Sequence, residues 1–331
     1  MTPRERVLSA LRRKPVRPVP VAAVTQSATV DQMEAAGAFW PEAHRQAEAM
    51  ARLAEAAHTV VGFDAVRVPF DQTIEAELLG AEVDLGDRTT NCSIRSQPLR
   101  LAEPPPAVPD LDAGRAGVVV EAIGLLRRRL GDDAAVLGGL VGPFTLVCQL
   151  AGISAVLTEA VRRPEKLRPY LDFAVELAIE YARRQVAAGA DAITVEDMAA
   201  SLDLTSPRLY QQLILPAQQQ LVAAVPAPVI LHICGSNTRI LSLLHQSGAE
   251  ALSLEDRTDL VQAVSAGDCA VIGGVATIEV LLNGTLEQVR RASEECLAAG
   301  VHMLAPGCGL APLTPLESLR EMVRAARQWI G

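Results

Sequence analysis

Eight short apolar runs recur along this 331-residue chain, and most of them are separated by segments with a helical pattern. The runs are continuous rather than alternating, as expected for strands that are buried on both faces of a parallel sheet. They occupy residues 19–25, 65–70, 135–142, 191–197, 228–234, 251–256, 270–275 and 301–309. Eight such strands alternating with helices predict an α/β fold, the (β/α)₈ TIM barrel.

A doubly wound open sheet is the alternative architecture, but it usually begins with a glycine-rich phosphate loop, and none follows the first run. Residues 26–64 and 71–134 form helical excursions longer than one crossover helix requires, and such insertions commonly shape the mouth of a barrel. The chain has no repeat and no clear linker. The sequence therefore predicts one domain over 1–331, with helical insertions near its N-terminus.

A composition of 50% hydrophobic and 21% charged residues supports a large core and argues against a disordered chain. The net charge of −9 argues against nucleic acid or an anionic membrane as the main partner. No run of about 18 apolar residues and no signal-peptide pattern occurs, so no transmembrane helix is expected. The six cysteines form no CxxC pair, which indicates reduced thiols and a cytoplasmic location.

The most informative stretch is LHICGSN, where His232 and Cys234 stand two apart at the predicted end of a strand. Side chains at i and i+2 of a strand point to the same face, and the carboxyl ends of barrel strands carry the active site. Cys308 follows the last apolar run within APGCGLAP, where flanking glycines permit a tight turn. One imidazole and two thiolates suit Zn²⁺ and leave a fourth position open.

A purely structural interpretation competes with the metal site, because free cysteine is among the most buried residue types and strand histidines are often hydrogen-bonded in the core. The position of both motifs at predicted strand ends favours the metal site. The remaining cysteines and histidines lack that context and are interpreted as structural: Cys92, Cys148, Cys269, Cys296, His44, His58, His245 and His302.

Six stretches, taken together, point to a family. They are HICGSNTRIL, LAPGCGLAPLTPLESLREMV, TQSATVDQMEAAGAFWPEAH, GFDAVRVPFDQTIEAELLGAEV, GPFTLVCQLAGIS and DLTSPRLYQQLILP. The chain resembles, over nearly its whole length, the zinc-dependent methylcobalamin:coenzyme M methyltransferase branch of the uroporphyrinogen decarboxylase superfamily. The resemblance implies a (β/α)₈ barrel whose zinc ligands are His232, Cys234 and Cys308.

The implied reaction follows from the chemistry of a metal-bound thiol. A free thiol has a pKa of about 8.5 and is mostly protonated at neutral pH, whereas its thiolate is the nucleophile. Coordination to Zn²⁺ deprotonates the thiol, whose sulfur can then attack the methyl group of a methylated corrinoid. The resemblance therefore implies methyl transfer from methylcobalamin, or from a corrinoid protein, to a thiol such as coenzyme M.

Four further residues are expected to line the pocket. Asp71 ends VRVPFD where the uroporphyrinogen decarboxylases carry their catalytic aspartate, and Asp197 ends the fourth strand. Both are predicted to be catalytic, with helix capping as the alternative. Gln26 and Glu77 are predicted to bind substrate. Glu77 could also reach the metal, against the alternative of a solvated or capping carboxylate.

Three other functions are also compatible with the sequence. One is a metal-free porphyrinogen decarboxylase on the same barrel, although TQSATVD stands where those enzymes carry an arginine-rich motif. Methyl transfer to tetrahydrofolate is another. A noncatalytic zinc-stabilised barrel or a corrinoid-protein binding module is of a different class, but a structural zinc usually has four protein ligands, and only three are convincing here.

The resemblance implies two partners, a small thiol and a corrinoid. The sulfonate of coenzyme M would need a nearby arginine or backbone N–H groups, and Arg67 and Arg239 are the candidates. No DxHxxG segment of the kind that supplies a corrinoid's lower histidine ligand occurs in the chain. The corrinoid is therefore expected to arrive on a separate protein that docks over the mouth of the barrel.

Overall fold

The computed structural model describes all 331 residues, and its centre is a curled parallel sheet of seven strands. The strands of the chain are β1 (Ala65–Arg67), β2 (Val83–Asp84), β3 (Ser93–Ile94), β4 (Ala135–Val141), β5 (Ala192–Glu196), β6 (Val229–His232), β7 (Ala251–Leu254), β8 (Ala270–Val275) and β9 (Met303–Pro306). The central sheet has the order β1-β4-β5-β6-β7-β8-β9, and β2 and β3 form a separate antiparallel pair.

The helices alternate with these strands. They are α1 (Pro3–Leu11), α2 (Val30–Ala36), α3 (Ala47–Ala56), α4 (Ile74–Leu78), α5 (Gly114–Leu130), α6 (Pro143–Ala151), α7 (Ile153–Arg162), α8 (Arg168–Ala188), α9 (Pro207–Leu209), α10 (Leu215–Ala224), α11 (Leu241–His245), α12 (Leu260–Ser265), α13 (Leu286–Ala298) and α14 (Leu316–Gln328). The excursion 26–64 contains α2 and α3. The excursion 71–134 contains α4, α5 and the β2–β3 pair, which the apolar-run pattern did not indicate.

Seven of the eight predicted runs are strands of the central sheet, which confirms an α/β fold of the TIM-barrel type. The first run, 19–25, differs from the prediction, because it makes a single bridge, from Val21 to Leu304. Pro18 and Pro20 explain the difference, since proline has no N–H to donate to a ladder. A regular eighth strand therefore does not form.

The irregular segment around Val21 still contacts both edges of the sheet. On one side the Leu304 N–H donates to the Pro20 carbonyl at 2.9 Å, and on the other the Asp64 N–H donates to the Val21 carbonyl at 2.7 Å. The segment thus lies between β9 and the start of β1.

Small apolar side chains line the inner face of the sheet at its amino-terminal end. The first residues of five strands are buried alanines in one cluster: Ala65, Ala135, Ala192, Ala251 and Ala270. Val7 and Leu11 of α1 belong to the same cluster and are at most 1% exposed. Helix α1, whose first turn is fixed by a capping box between Thr2 and Glu5, therefore closes this end of the sheet.

The outer face of the sheet packs against the surrounding helices in a second, larger core. The longest helix, α8, buries Leu177 and Tyr181 in this core and ends at Gly189, whose φ of 117° lies in the left-handed region. No single helix of the chain combines the length and the apolar composition needed to cross a membrane. Only α6 and α7 together, bent by 115° at their junction, meet those two criteria.

A buried carboxylate ties the irregular segment to the helices. Asp64 is fully buried, and one of its oxygens accepts a hydrogen bond from the Val21 N–H at 2.9 Å. Arg6 of α1 and Arg327 of α14 both donate to the same carboxylate. Asp64 thus joins the first and last helices of the chain to the segment that lies between β9 and β1.

We expect Asp64→Ala to lower the free energy of unfolding by about 3 kcal/mol, because it leaves two arginines and a buried N–H without their acceptor. Urea unfolding followed by circular dichroism measures the change. Asp268→Ala is the control, since Asp268 is fully exposed where it pairs with Arg13 and should leave the unfolding midpoint unchanged. Equal midpoints for the two variants would contradict the role assigned to Asp64.

Candidate metal centre

His232 and Cys234 project from the carboxyl end of β6 onto the inner face of the sheet. His232 is the last residue of the strand, and its Nε2 lies 3.5 Å from the Cys234 Sγ. Gly235 follows with a φ of 82°, a left-handed conformation that glycine adopts without strain. The chain therefore turns immediately after the thiol, and both donor atoms stay on one face.

Cys308, in the loop after β9, brings a second thiol to the same place. Its Sγ lies 3.7 Å from the Cys234 Sγ. The next residue is Gly309, and a Cβ at that position would lie 2.6 Å from the Gln26 Cγ. The structure thus brings the three predicted metal ligands together and places the predicted substrate-binding residue Gln26 beside them.

Glu255 adds a carboxylate to this cluster. The ligand atoms of His232, Cys234, Glu255 and Cys308 all lie within 4.8 Å of one another. Glu255 is not among the site residues predicted from the sequence. It stands in ALSLED, two residues after Ser253, and the alternation of side chains along a strand therefore places it on the same face as the histidine.

Ser253 orients the imidazole of His232. The Nδ1 atom lies 3.1 Å from the Ser253 hydroxyl oxygen and 3.2 Å from its carbonyl oxygen. Because a carbonyl only accepts hydrogen bonds, this contact favours the tautomer with the proton on Nδ1. The lone pair of Nε2 then faces the two thiols, where a metal would bind.

The electrostatics of the cluster favour thiolate character at Cys308. A hydrogen bond from the Cys234 thiol is the main reason that the pKa of Cys308 is lowered, and His232 adds to it. The same contact raises the pKa of Cys234. Burial alone would lower the pKa of His232, but the interaction with Cys308 outweighs it and the pKa is raised. Burial raises the pKa of Glu255.

A second carboxylate, that of Glu196, lies beside the cluster, and both of its oxygens already accept hydrogen bonds from other side chains. Glu196 ends β5 and is paired in register with His232, so both side chains occupy the inner face. Arg67 donates to one of its oxygens and Gln72 to the other. Arg67 also donates to the Pro69 carbonyl, so this candidate for sulfonate binding is committed to protein partners.

The structure corrects the prediction that Asp197 faces the pocket. Its carboxylate accepts hydrogen bonds from the N–H and the hydroxyl of Thr145, each at 2.8 Å, and from Gln218 at 2.9 Å. It is fully buried against α6 and α10, because consecutive strand residues point to opposite faces and Glu196 takes the inner one. Asp197 thus holds the amino-terminal end of α6, and it makes no side-chain cap to the helix that follows it, which was the alternative from the sequence.

Asp71 lies outside the metal cluster, in a closed hydrogen-bond network. One oxygen accepts from the N–H and the hydroxyl of Thr73, and the other accepts from Arg115 at 2.8 Å. His44 Nδ1 lies 3.2 Å from that second oxygen, an ion-pair distance without hydrogen-bond geometry. Burial would raise the pKa of Asp71, but the contacts with His44 and Arg115 hold it well below its usual range.

Glu77 also lies outside the metal cluster. It pairs with Arg115 at the edge of the Asp71 network, and a third of its side chain is exposed. A second group of possible ligand atoms, from His44, Asp71 and Cys92, lies within 4.8 Å as well. The guanidinium of Arg115 already holds the Asp71 carboxylate, so this second group does not suit a divalent cation.

We expect Asp71→Asn to lower the free energy of unfolding by about 2 kcal/mol at pH 7, because a charged acceptor is lost from a buried network. The folded-state pKa of Asp71 is below its unfolded value, so the ionised side chain stabilises the fold fully above about pH 4, and this contribution is lost as the pH falls further. Unfolding at several pH values between about 2.5 and 7 measures it. An identical pH slope in the wild type and the variant would contradict this assignment.

Comparisons with known proteins agree with this geometry. A family model described as uroporphyrinogen decarboxylase (URO-D) matches residues 2–329. The methylcobamide:CoM methyltransferase MtbA of Methanosarcina acetivorans is 39% identical over 334 residues, which cover 99% of this chain and 98% of that protein. The methylcobamide:CoM methyltransferase MtaA of Methanosarcina barkeri is 36% identical over 333 residues, with the same coverage.

A solved structure is similar over its whole length. The methyltransferase from Methanosarcina mazei superposes with a TM-score of 0.94 at 36% sequence identity, and the match covers 100% of both chains. The fold therefore corresponds between the two proteins over their whole length.

Proposed function

We propose that this chain, which belongs to the uroporphyrinogen decarboxylase family, transfers a methyl group from a methylated corrinoid to a thiol at a zinc ion held by His232, Cys234 and Cys308. The observation that carries the proposal is the cluster of one imidazole, two thiols and one carboxylate at the carboxyl ends of β6, β7 and β9. Relatives named methylcobamide:CoM methyltransferases match the chain from end to end.

The donor set fits zinc. Thiolate sulfur and imidazole nitrogen are the ligands that Zn²⁺ prefers in proteins, whereas Mg²⁺ and Ca²⁺ take oxygen ligands. Glu255 would be the fourth ligand, and it is half-buried rather than sealed in the core. A fourth ligand at the accessible side of the site can be exchanged for substrate, as a catalytic zinc requires.

The chain's own residues prepare the thiol. When bound, the zinc supplies a positive charge that stabilises a substrate thiol as its thiolate. Ser253 fixes the imidazole of His232, and the thiolate character favoured at Cys308 keeps the site rich in electrons. Glu255 would be the ligand exchanged for the thiol, and its carboxylate would then be the nearest base to take the thiol's proton.

The methyl transfer is then a displacement at carbon. The sulfur lone pair of the thiolate forms a bond to the methyl carbon, and the bond between cobalt and carbon breaks with both electrons left on the cobalt. The products are a methyl thioether and the Co(I) corrinoid. The thiol is coenzyme M, by correspondence with the names of the relatives. The corrinoid is delivered by a separate protein.

We expect the purified chain to contain about one zinc per molecule, and Cys308→Ala to lose it, because the variant removes one of three strong ligands. Elemental mass spectrometry measures the metal. The control is Cys296→Ala, which removes a buried thiol far from the cluster and should keep the zinc. Removal of zinc should also abolish Co(I) formation from methylcobalamin and coenzyme M in the visible spectrum. Methyl transfer at the native rate without zinc would refute the proposal.

We expect Glu255→Gln to weaken zinc binding about tenfold, because a neutral amide is a poorer ligand than a carboxylate. Competition with a chromogenic chelator measures the affinity. Glu77→Gln is the matched control, since it makes the same change outside the cluster and should leave the affinity unchanged. Equal losses in the two variants would exclude Glu255 as the fourth ligand.

A further inference from the structure

Glu196 is a second carboxylate next to the proposed zinc ligand His232. The two residues are paired in register on adjacent parallel strands, and strand neighbours lie about 4.8 Å apart. Both side chains occupy the inner face and are at most 1% exposed. A carboxylate in that position is itself a good zinc ligand, so the site has two acidic residues where the proposed chemistry uses one.

The two acidic residues, Glu196 and Glu255, have different hydrogen-bond partners. Each oxygen of Glu196 accepts a hydrogen bond from a side chain, from Arg67 on one side and Gln72 on the other. No side chain donates to Glu255, which lies among the metal-ligand atoms. Side chains thus hold both oxygens of Glu196, whereas only the backbone N–H of Gly235 donates to Glu255.

The donors that fix Glu196 are themselves firmly placed. The Arg67 guanidinium donates to the Pro69 carbonyl and lies against Gly139, where a Cβ would come within 2.3 Å of its Nη2 atom. The Gln72 carbonyl accepts a hydrogen bond from Gln149 at 2.8 Å, which anchors the loop that carries the amide. The arrangement therefore holds both oxygens of Glu196 in place between two anchored donors.

We propose that Arg67 and Gln72 are positioning residues that hold Glu196 off the metal and so reserve the fourth coordination position for Glu255 and the incoming thiol. The proposal rests on the zinc site proposed above. If Glu196 were released, two carboxylates would compete with the thiol, and the added negative charge would oppose a substrate thiolate. The metal would be held at least as tightly, but the thiol would bind more weakly.

The test uses Gln72→Leu, which removes one donor while Arg67 still pairs with the carboxylate. The full-length protein is loaded with Co²⁺ in place of zinc, because the visible bands of Co²⁺ weaken when a tetrahedral site gains a fifth ligand. We expect weaker bands in the variant, unchanged or tighter metal binding in a chelator competition, and about a tenfold loss of affinity for coenzyme M titrated against the Co²⁺ spectrum.

Gln218→Leu is the matched control. It removes an amide donor from Asp197, the adjacent buried carboxylate, which points to the opposite face. Its Co²⁺ spectrum and its affinity for coenzyme M should equal those of the wild type. Adding Glu196→Gln to Gln72→Leu should restore both, because the amide cannot replace the carboxylate as a ligand.

Two results would overturn the proposal. A Gln72→Leu spectrum and thiol affinity equal to those of the wild type would show that Gln72 does not restrain Glu196. Failure of Glu196→Gln to restore them would show that the effect does not act through that carboxylate. If the wild type bound neither zinc nor Co²⁺, the proposed function itself would fail, and the metal analysis of the unmodified chain separates that outcome from the other two.

Discussion

The candidate site depends on one geometric constraint, the alternation of side chains along a strand. His232 and Cys234 share the inner face because they stand two residues apart, and Ser253 and Glu255 share it for the same reason. In-register pairing of β5, β6 and β7 then sets these residues side by side. The inner face changes along the strands from small alanines at the amino end to polar and metal-binding groups at the carboxyl end.

The carboxylates of the chain differ in the partners that hold them. Buried carboxylates elsewhere in the chain have fixed partners, as with Asp64 between two arginines and Asp71 against Arg115. Glu255 differs from them, since it lies among thiols and imidazole and has no cationic partner. Glu255 is half-buried, and a bound cation would offset the cost of holding its charge partly away from water. The Asp71 network also weakens the decarboxylase alternative, because the aspartate is buried and both of its oxygens already accept hydrogen bonds from the protein.

Much of the fold could be predicted from the sequence, because strands buried on both faces are continuous apolar runs. The prediction failed where local chemistry opposed the pattern, at 19–25, where two prolines interrupt the ladder. The HxC motif and Cys308 were found because their ligand chemistry is specific. Glu255 was missed and Asp197 was assigned to the wrong face for one reason: the alternation that placed His232 was not applied to the other strand ends.

The Asp71 network could not be predicted from the sequence. Arg115, its main partner, is 44 residues away along the chain, and no local pattern records that contact. Glu196 and Gln72 are likewise 124 residues apart. Such pairs depend on how the helical excursions fold back over the sheet, which follows from packing rather than from spacing.

The position of helix α1 bears on the order in which the two substrates bind. Val7 and Leu11 fill the amino-terminal end of the sheet, so substrates are expected to reach the site from the carboxyl ends of the strands. A corrinoid is far larger than a small thiol and would cover that approach when it docked. Kinetics with two substrates should therefore follow a compulsory order, in which the thiol enters first and the methylated product leaves only after the corrinoid has dissociated.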